Sequence, residues 1–128
     1  MKILLVDDEK DFLEIMGTRI RGWGCDLIKA SDGKKALKAL KTEAPDIVIL
    51  DYMMPDMSGV EVLKEIRKIN KTIPVIMFTA YPNMKTMEDT ERLGISAFVP
   101  KLSAYTDTVN SLKVAVGIAS KNLGTDNK

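Results

Sequence analysis

Histidine is absent from all 128 residues. That excludes catalytic triads built on imidazole, metals held by histidine, and a phosphohistidine formed on this chain. Cysteine occurs once, at Cys25, so no intrachain disulfide can form and a thiol in the core is expected. Neither sign of charge is in excess, since 19 basic and 18 acidic residues leave a formal net charge of +1. Such a balance gives no reason to expect a nucleic-acid or membrane partner. Long apolar runs are missing too. Ile3 to Val6 is too short for a signal peptide, and no stretch approaches the roughly 20 apolar residues of a membrane span. A cytoplasmic protein is expected. With no internal repeat, low-complexity block or linker, the chain is one domain, of a size that buries roughly two-thirds of its unfolded surface.

What the chain does have is alternation. Lys2 to Asp7 reads as a strand, and Glu9 to Arg21 as a helix, with Phe12, Ile15, Met16, Arg19, Ile20 and Trp23 near 3.6 spacing and Gly22 or Gly24 as its end. Asp26 to Ala30 is a short second strand. Ser31 is the expected cap of a helix to about Glu43, with Ala36, Leu37 and Leu40 inside and Pro45 beyond. Ile47 to Leu50 is an unbroken β-prone run that stops at Asp51, the pattern of a strand buried on both faces. Ser58 caps a helix through Val62, Leu63, Ile66 and Ile69 to Asn70. Pro74 to Thr79, Met84 to Leu93, Ile95 to Val99 and Ser103 to about Asn122 give strand, helix, strand and helix, with Gly94 closing the fourth helix. Residues 124–128 read as a frayed tail, leaving 1–123 as the domain.

Five strands alternating with five helices predict an α/β fold: a doubly wound, five-stranded parallel sheet in the flavodoxin-like order 2-1-3-4-5. Ligands of such sheets bind beyond the carboxyl ends of the strands, at the switch point between strands one and three. Polar residues gather at those ends: Asp7 and Asp8 after strand one, Asp51 after strand three, Thr79 after strand four and Lys101 after strand five. Taken singly, each has a plain explanation. Asp8 caps a helix, Thr79 is a β-branched strand residue and Lys101 is solvated. Their convergence predicts a site. Three carboxylates at one switch point repel one another and call for a hard cation, an ammonium group or both. Magnesium suits oxygen ligands and completes its shell with water and phosphate, and a backbone carbonyl just past Asp51 adds a further ligand.

The segments Leu4-Leu5-Val6-Asp7-Asp8-Glu9, Val48-Ile49-Leu50-Asp51-Tyr52-Met53-Met54-Pro55-Asp56-Met57-Ser58-Gly59, Met77-Phe78-Thr79-Ala80 and Phe98-Val99-Pro100-Lys101 resemble the receiver domain of two-component response regulators. The similarity runs from the first strand to the last helix, with every motif in family order. It implies that Asp51 accepts a phosphoryl group from a histidine of a sensor kinase or phosphotransfer protein. It implies that Asp8 binds magnesium, or manganese in its place, with Asp7 binding directly or through water and Met53 adding its main-chain carbonyl. Thr79 and Lys101 would hold phosphoryl oxygens, and small Ala80 leaves room beside them. Phe98 stands where the family often has an aromatic that changes rotamer with the threonine; the alternative is a core aromatic on an edge strand. Catalysis is limited to the chain's own phosphorylation and dephosphorylation, with no independent substrate turnover.

Two other functions share parts of this pattern. A haloacid dehalogenase-like phosphatase needs a second aspartate two residues after its nucleophile, where Asp51 has Met53 and Asp7 has Glu9. A flavin or nucleotide module needs a phosphate-binding loop, and neither GxxxxGK[ST] nor GxGxxG occurs, while the first loop is acidic. One departure from the family is plain. Leu102 follows Lys101 where proline, joined by a cis bond, is usual. A cis bond to leucine costs about 3 kcal/mol, so a trans bond, a shifted loop and a loosely held lysine are expected. In receivers that lose phosphate quickly, amides or carboxylates two residues after the acceptor and two after the threonine orient a hydrolytic water. Here those positions hold Met53 and Tyr81, so a long-lived acyl phosphate is expected; the alternative is that both point into solvent and leave the rate unaffected. Downstream, an unidentified protein would read a changed surface. The fourth helix offers Lys85, Glu88, Asp89, Glu91 and Arg92. On the last helix Val109, Leu112 and Val116 form a core stripe, and Val114 with Ile118 forms a second, either a partner surface or a broad core face. Phe12 and Ile15 are the expected contacts on the kinase side. The chain fits either a free-standing regulator or a domain of a longer protein.

Overall fold

A computed structural model describes residues 1–79, 84–100 and 105–126. Five parallel strands, β1 (Lys2–Val6), β2 (Asp26–Ala30), β3 (Ile47–Asp51), β4 (Val75–Thr79) and β5 (Ala97–Pro100), pair in the order β2-β1-β3-β4-β5. This is the flavodoxin-like order expected from the alternation. The three middle strands carry the continuous apolar runs because both of their faces are covered. Ile3 to Val6, Ile47 to Leu50 and Val75 to Phe78 are all fully buried. The edge strands are less apolar, and Pro100, which lacks an amide donor, ends the edge strand β5 opposite Thr79.

The helices are α1 (Lys10–Gly22), α2 (Gly33–Glu43), α3 (Gly59–Ile69), α4 (Met84–Arg92) and α5 (Tyr105–Asp126). On one face of the sheet Phe12, Leu13, Met16 and Ile20 of α1 pack with Leu112, Ala115, Val116 and Ala119 of α5 against Ile3, Leu5, Ile47, Ile49, Ile76 and Phe78. On the other, Ala36 and Leu40 of α2 and Val62, Leu63 and Ile66 of α3 cover Leu4, Val6, Val48, Leu50, Val75 and Met77. Alternate residues of each central strand therefore serve opposite cores. Cys25 is half-buried against the first of these cores.

Several ends differ from the sequence reading. The cap of α2 is Asp32, not Ser31: its backbone is extended and its Oδ1 accepts from the Lys35 amide at 2.8 Å, while Ser31 Oγ meets the Lys35 ammonium. Ser58 does cap α3, accepting from the Glu61 amide at 3.2 Å, but Ile69 is exposed rather than part of the inner stripe. Strand β5 begins at Ala97, two residues later than expected, because Ile95 turns into the core and Ser96 makes the first bond, from its amide to the Val75 carbonyl. Helix α5 continues through Gly124 to Asp126, so most of the expected tail is helix. One glycine costs a helix only about 1 kcal/mol, and no proline follows to stop it. The chain leaves α2 through Ala44 at φ +47°, a left-handed residue that turns it towards Pro45 and β3.

Candidate functional site

The carboxyl ends of β1 and β3 lie side by side, and the residues that follow them meet there. Asp7 extends the β1–β2 ladder by one bond, from its amide to the Ala30 carbonyl at 3.1 Å. Its Oδ1 accepts the Glu9 amide at 2.9 Å, a side-chain turn that starts α1 where Glu9 itself supplies no cap. Asp51 closes β3 in register with Phe78, is 2% exposed, and accepts the Met53 amide at 3.3 Å. Asp8 is exposed at the rim. One carboxylate oxygen from each of Asp7, Asp8 and Asp51 falls within 4.8 Å of the others. Thr79, fully buried, ends β4 on the next strand. The donor set is oxygen alone, which suits a small hard cation rather than a soft one.

The segment from Tyr52 to Ser58 forms one wall. It is closed at the base, where the Gly59 amide donates to the Tyr52 carbonyl at 2.7 Å. A Cβ on Gly59 would stand 2.5 Å from the Asp51 carbonyl oxygen and 2.7 Å from Tyr52 Cα, so only glycine fits. Asp8, Tyr52, Met53, Met54, Pro55 and Ser58 line a cavity of 390 Å³ beside the cluster. At the tip, Asp56 accepts the Gly33 amide at the start of α2, at 3.1 and 3.4 Å to its two oxygens. Partial desolvation pushes the Asp56 carboxyl up, but amide donors from Gly33, Met57, Asp56 itself and Lys34 outweigh it and hold the group below the usual carboxylate range.

The remaining predicted residues divide. Ala80, Tyr81, Lys101 and Leu102 lie outside the described residues, and so does the bond between Lys101 and Leu102. Phe98 is half-buried on β5 and packs against the core under α2 and α3. Met53 is 55% exposed at the cavity mouth. Phe12 cannot be a partner contact: it is buried, and its ring stacks on Phe78 with centroids 5.4 Å apart. Its place in the periodic stripe meant core, and only Ile15 of that pair reaches the surface. Val114 and Ile118 are 64% and 55% exposed, which rules out the broad core face and leaves them as surface. On α4, Lys85, Glu88, Glu91 and Arg92 are exposed and Asp89 is half-buried.

Two residues carry structural roles that their sequence context does not signal. Asp56 was visible only as part of a loop motif, and its partner is 23 residues earlier in the chain. Arg67 on α3 donates to four backbone carbonyls: Leu93 at 2.8 Å, Gly94 at 2.9 Å, Ile73 at 2.8 Å and Asn70 at 3.3 Å. Burial lowers its pKa, which leaves an arginine charged. Neither role leaves a trace in local periodicity.

A family model described as the response regulator receiver domain matches residues 3–113. The alkaline phosphatase synthesis transcriptional regulatory protein PhoP of Bacillus subtilis is 43% identical over 79 residues, which are 62% of this chain and 33% of that protein. The transcriptional regulatory protein ZraR of Escherichia coli is 34% identical over 99 residues, 77% of this chain and 22% of that protein. The chain thus spans a third or less of the length of these two relatives. Among solved structures, the receiver domain of the Francisella response regulator 1452 superposes with a TM-score of 0.85 at 30% identity, covering 95% of this chain and 98% of that one.

Proposed function

Because the chain belongs to the response regulator receiver family, and so is a receiver domain of two-component signalling, we propose that Asp51 is its phosphoacceptor. The observation that carries this is the convergence of the Asp7, Asp8 and Asp51 carboxylates within 4.8 Å at the switch point of the sheet. An Asp51 carboxylate oxygen attacks the phosphorus of a phosphohistidine. The new O–P bond forms as the N–P bond breaks, the N–P electron pair stays on the ring nitrogen, and the imidazole leaves neutral because its other ring nitrogen already carries a proton. The donor is a sensor histidine kinase or a histidine phosphotransfer protein. Asp7, Asp8, Asp51 and the Met53 carbonyl would hold magnesium, or manganese in its place. When bound, that ion offsets the charge on the carboxylates and on the transferring phosphoryl oxygens.

Thr79 offers a hydroxyl donor from a rigid strand end, Lys101 a second positive charge, and Ala80 the space beside them. Phe98 is the aromatic whose rotamer would follow Thr79. Met53 and Tyr81 are the residues that keep hydrolysis slow, because neither is suited to orient a water in line with the O–P bond. Among the described residues no helix is long and apolar enough to cross a membrane. We place the protein in the cytoplasm, with a downstream protein as its reader and no nucleic acid bound by this domain. Neither the phosphatase nor the flavin alternative draws support from the matches, and Met53 stands where the phosphatase needs its acid.

The test is intact mass after treatment with acetyl phosphate or phosphoramidate. A single phosphoryl adduct that needs magnesium and disappears in Asp51→Asn is expected, with faster loss of the label in Met53→Asn. Undiminished labelling in EDTA, or an adduct that persists in Asp51→Asn, overturns the assignment.

A further inference from the structure

We propose that Asp56 is a positioning residue for the acceptor site, tying the loop between Asp51 and Gly59 to the first turn of α2 and so holding the Met53 main chain beside the acidic cluster. The inference rests on the reading of Asp51 and its neighbours given above. The loop is fixed firmly at its base by the bond from the Gly59 amide to the Tyr52 carbonyl at 2.7 Å. Next to the cluster the Tyr52 amide continues the sheet, donating to the Phe78 carbonyl at 2.9 Å, while the Met53 amide reaches Asp51 Oδ1 at 3.3 Å, long enough to be weak. Its tip needs another support. The Gly33 amide, 3.1 Å from Asp56 Oδ2, supplies it.

Two further observations make this more than an ordinary helix cap. Helix α2 already has a cap of its own, Asp32, which takes the Lys35 amide at 2.8 Å. Asp56 instead takes the first amide of the helix, from a loop on the neighbouring βα unit. The contact is also shaped on the α2 side. A Cβ on Gly33 would meet Met57 Sδ at 2.9 Å, Met57 Cβ at 3.0 Å and Val62 Cγ2 at 2.9 Å. Glycine at residue 33 lets the loop tip lie against the helix while its amide points at Asp56. A charged acceptor at a helix N-terminus is favoured by the helix dipole as well as by the hydrogen bond. The loop is thus held at both ends, with the main chain of Met53 between them.

The experiment compares Asp56→Ala, Asp56→Asn and Asp32→Ala with the wild type. Magnesium affinity of the unphosphorylated protein is read by calorimetry, and amide exchange is followed without metal. Losing a residue that orients a ligand typically weakens a metal site by about 10–100-fold, and Asp56→Ala is expected at the lower end of that range. Asp56→Asn keeps an acceptor and should recover most of the affinity. Asp32→Ala removes a cap from the same helix end without touching the loop, so it should lower stability and leave magnesium affinity unchanged. Without metal, Asp56→Ala should speed exchange at Gly33 and across Tyr52 to Ser58 while the interior of α2 stays protected. Unchanged exchange across that loop, or equal loss of affinity in Asp32→Ala, overturns the proposal. A wild type that binds no magnesium, with the exchange difference intact, instead removes the functional reading and leaves the loop tie standing.

Discussion

At the scale of single residues, Gly59 is the tightest point in the site. Its Cα faces the Asp51 carbonyl oxygen so closely that a methyl group would sit 2.5 Å from it. Backbone blocks it there, and backbone cannot swing aside as the end of a flexible side chain would. Gly59→Ala should therefore lower stability by about 2–3 kcal/mol, at the upper end of ordinary overpacking, and displace the acceptor strand end. Urea midpoints and phosphoryl labelling together check this, and a variant with wild-type stability and labelling contradicts the close packing. The same scale shows what a sequence can and cannot convey. Asp7, Asp8 and Asp51 were legible because each interrupts a buried apolar run, and a rule about parallel sheets places such ends together. Asp56 was not, since it lies on a polar surface loop and its partner is a backbone amide 23 residues away. Phe12 misled because a periodic aromatic near a site reads equally as floor or as rim, and its stacking on Phe78 decides for floor.

At the scale of elements, Arg67 explains how α3, α4 and β5 are held in relation to one another. Its guanidinium spans the end of α3, the approach to β4 at Ile73 and the turn after α4 at Leu93 and Gly94. The last carbonyls of a helix lack partners of their own, and a planar fork of donors can serve several at once. Arg67→Gln should cost about 2–3 kcal/mol, less than the sum of four charged bonds because such effects are not additive and the group is only half-buried. Lysine, a point charge, should recover only part of it. Amide exchange should rise at the end of α4 and the turn into β5 while α2 is untouched; uniform protection in Arg67→Gln would count against this role. The identity of the ten elements among the described residues was legible, because apolar spacing of 2 and 3.6 and the flanking Gly and Pro residues agree. Their ends were less so. Ser31 and Asp32 are adjacent and equally able to cap, and only the extended backbone of Asp32 selects it. The end of α5 had no stop signal stronger than one glycine.

At the scale of the whole molecule, the fold pushes three acids together at the one place where its strand order reverses, and that should cost stability when no cation is present. The three carboxylates offer oxygens within 4.8 Å of one another, and two unit charges at the outer limit of that range repel by about 1 kcal/mol in water and about 3–4 kcal/mol at an effective dielectric near 20. Asp7 and Asp51 are buried, while Asp8 is exposed and better screened, so the repulsion assigned to Asp8 belongs near the lower figure. Asp8→Asn keeps the size and removes the charge. In EDTA it should therefore be about 1 kcal/mol more stable than the wild type, an unusual sign for a substitution at a strand end. Added salt should narrow the gap by screening the wild type more than the variant. Magnesium should reverse the order. An ion that binds only the folded state adds about 2.7 kcal/mol at one hundred times its dissociation constant, and the wild type should gain that much while Asp8→Asn gains little. Urea midpoints in four conditions, each protein with EDTA or magnesium at low salt, decide it. An Asp8→Asn protein that is less stable in EDTA means the three carboxylates are not in conflict. One that still gains fully from magnesium means that Asp8 is not among the groups holding the ion.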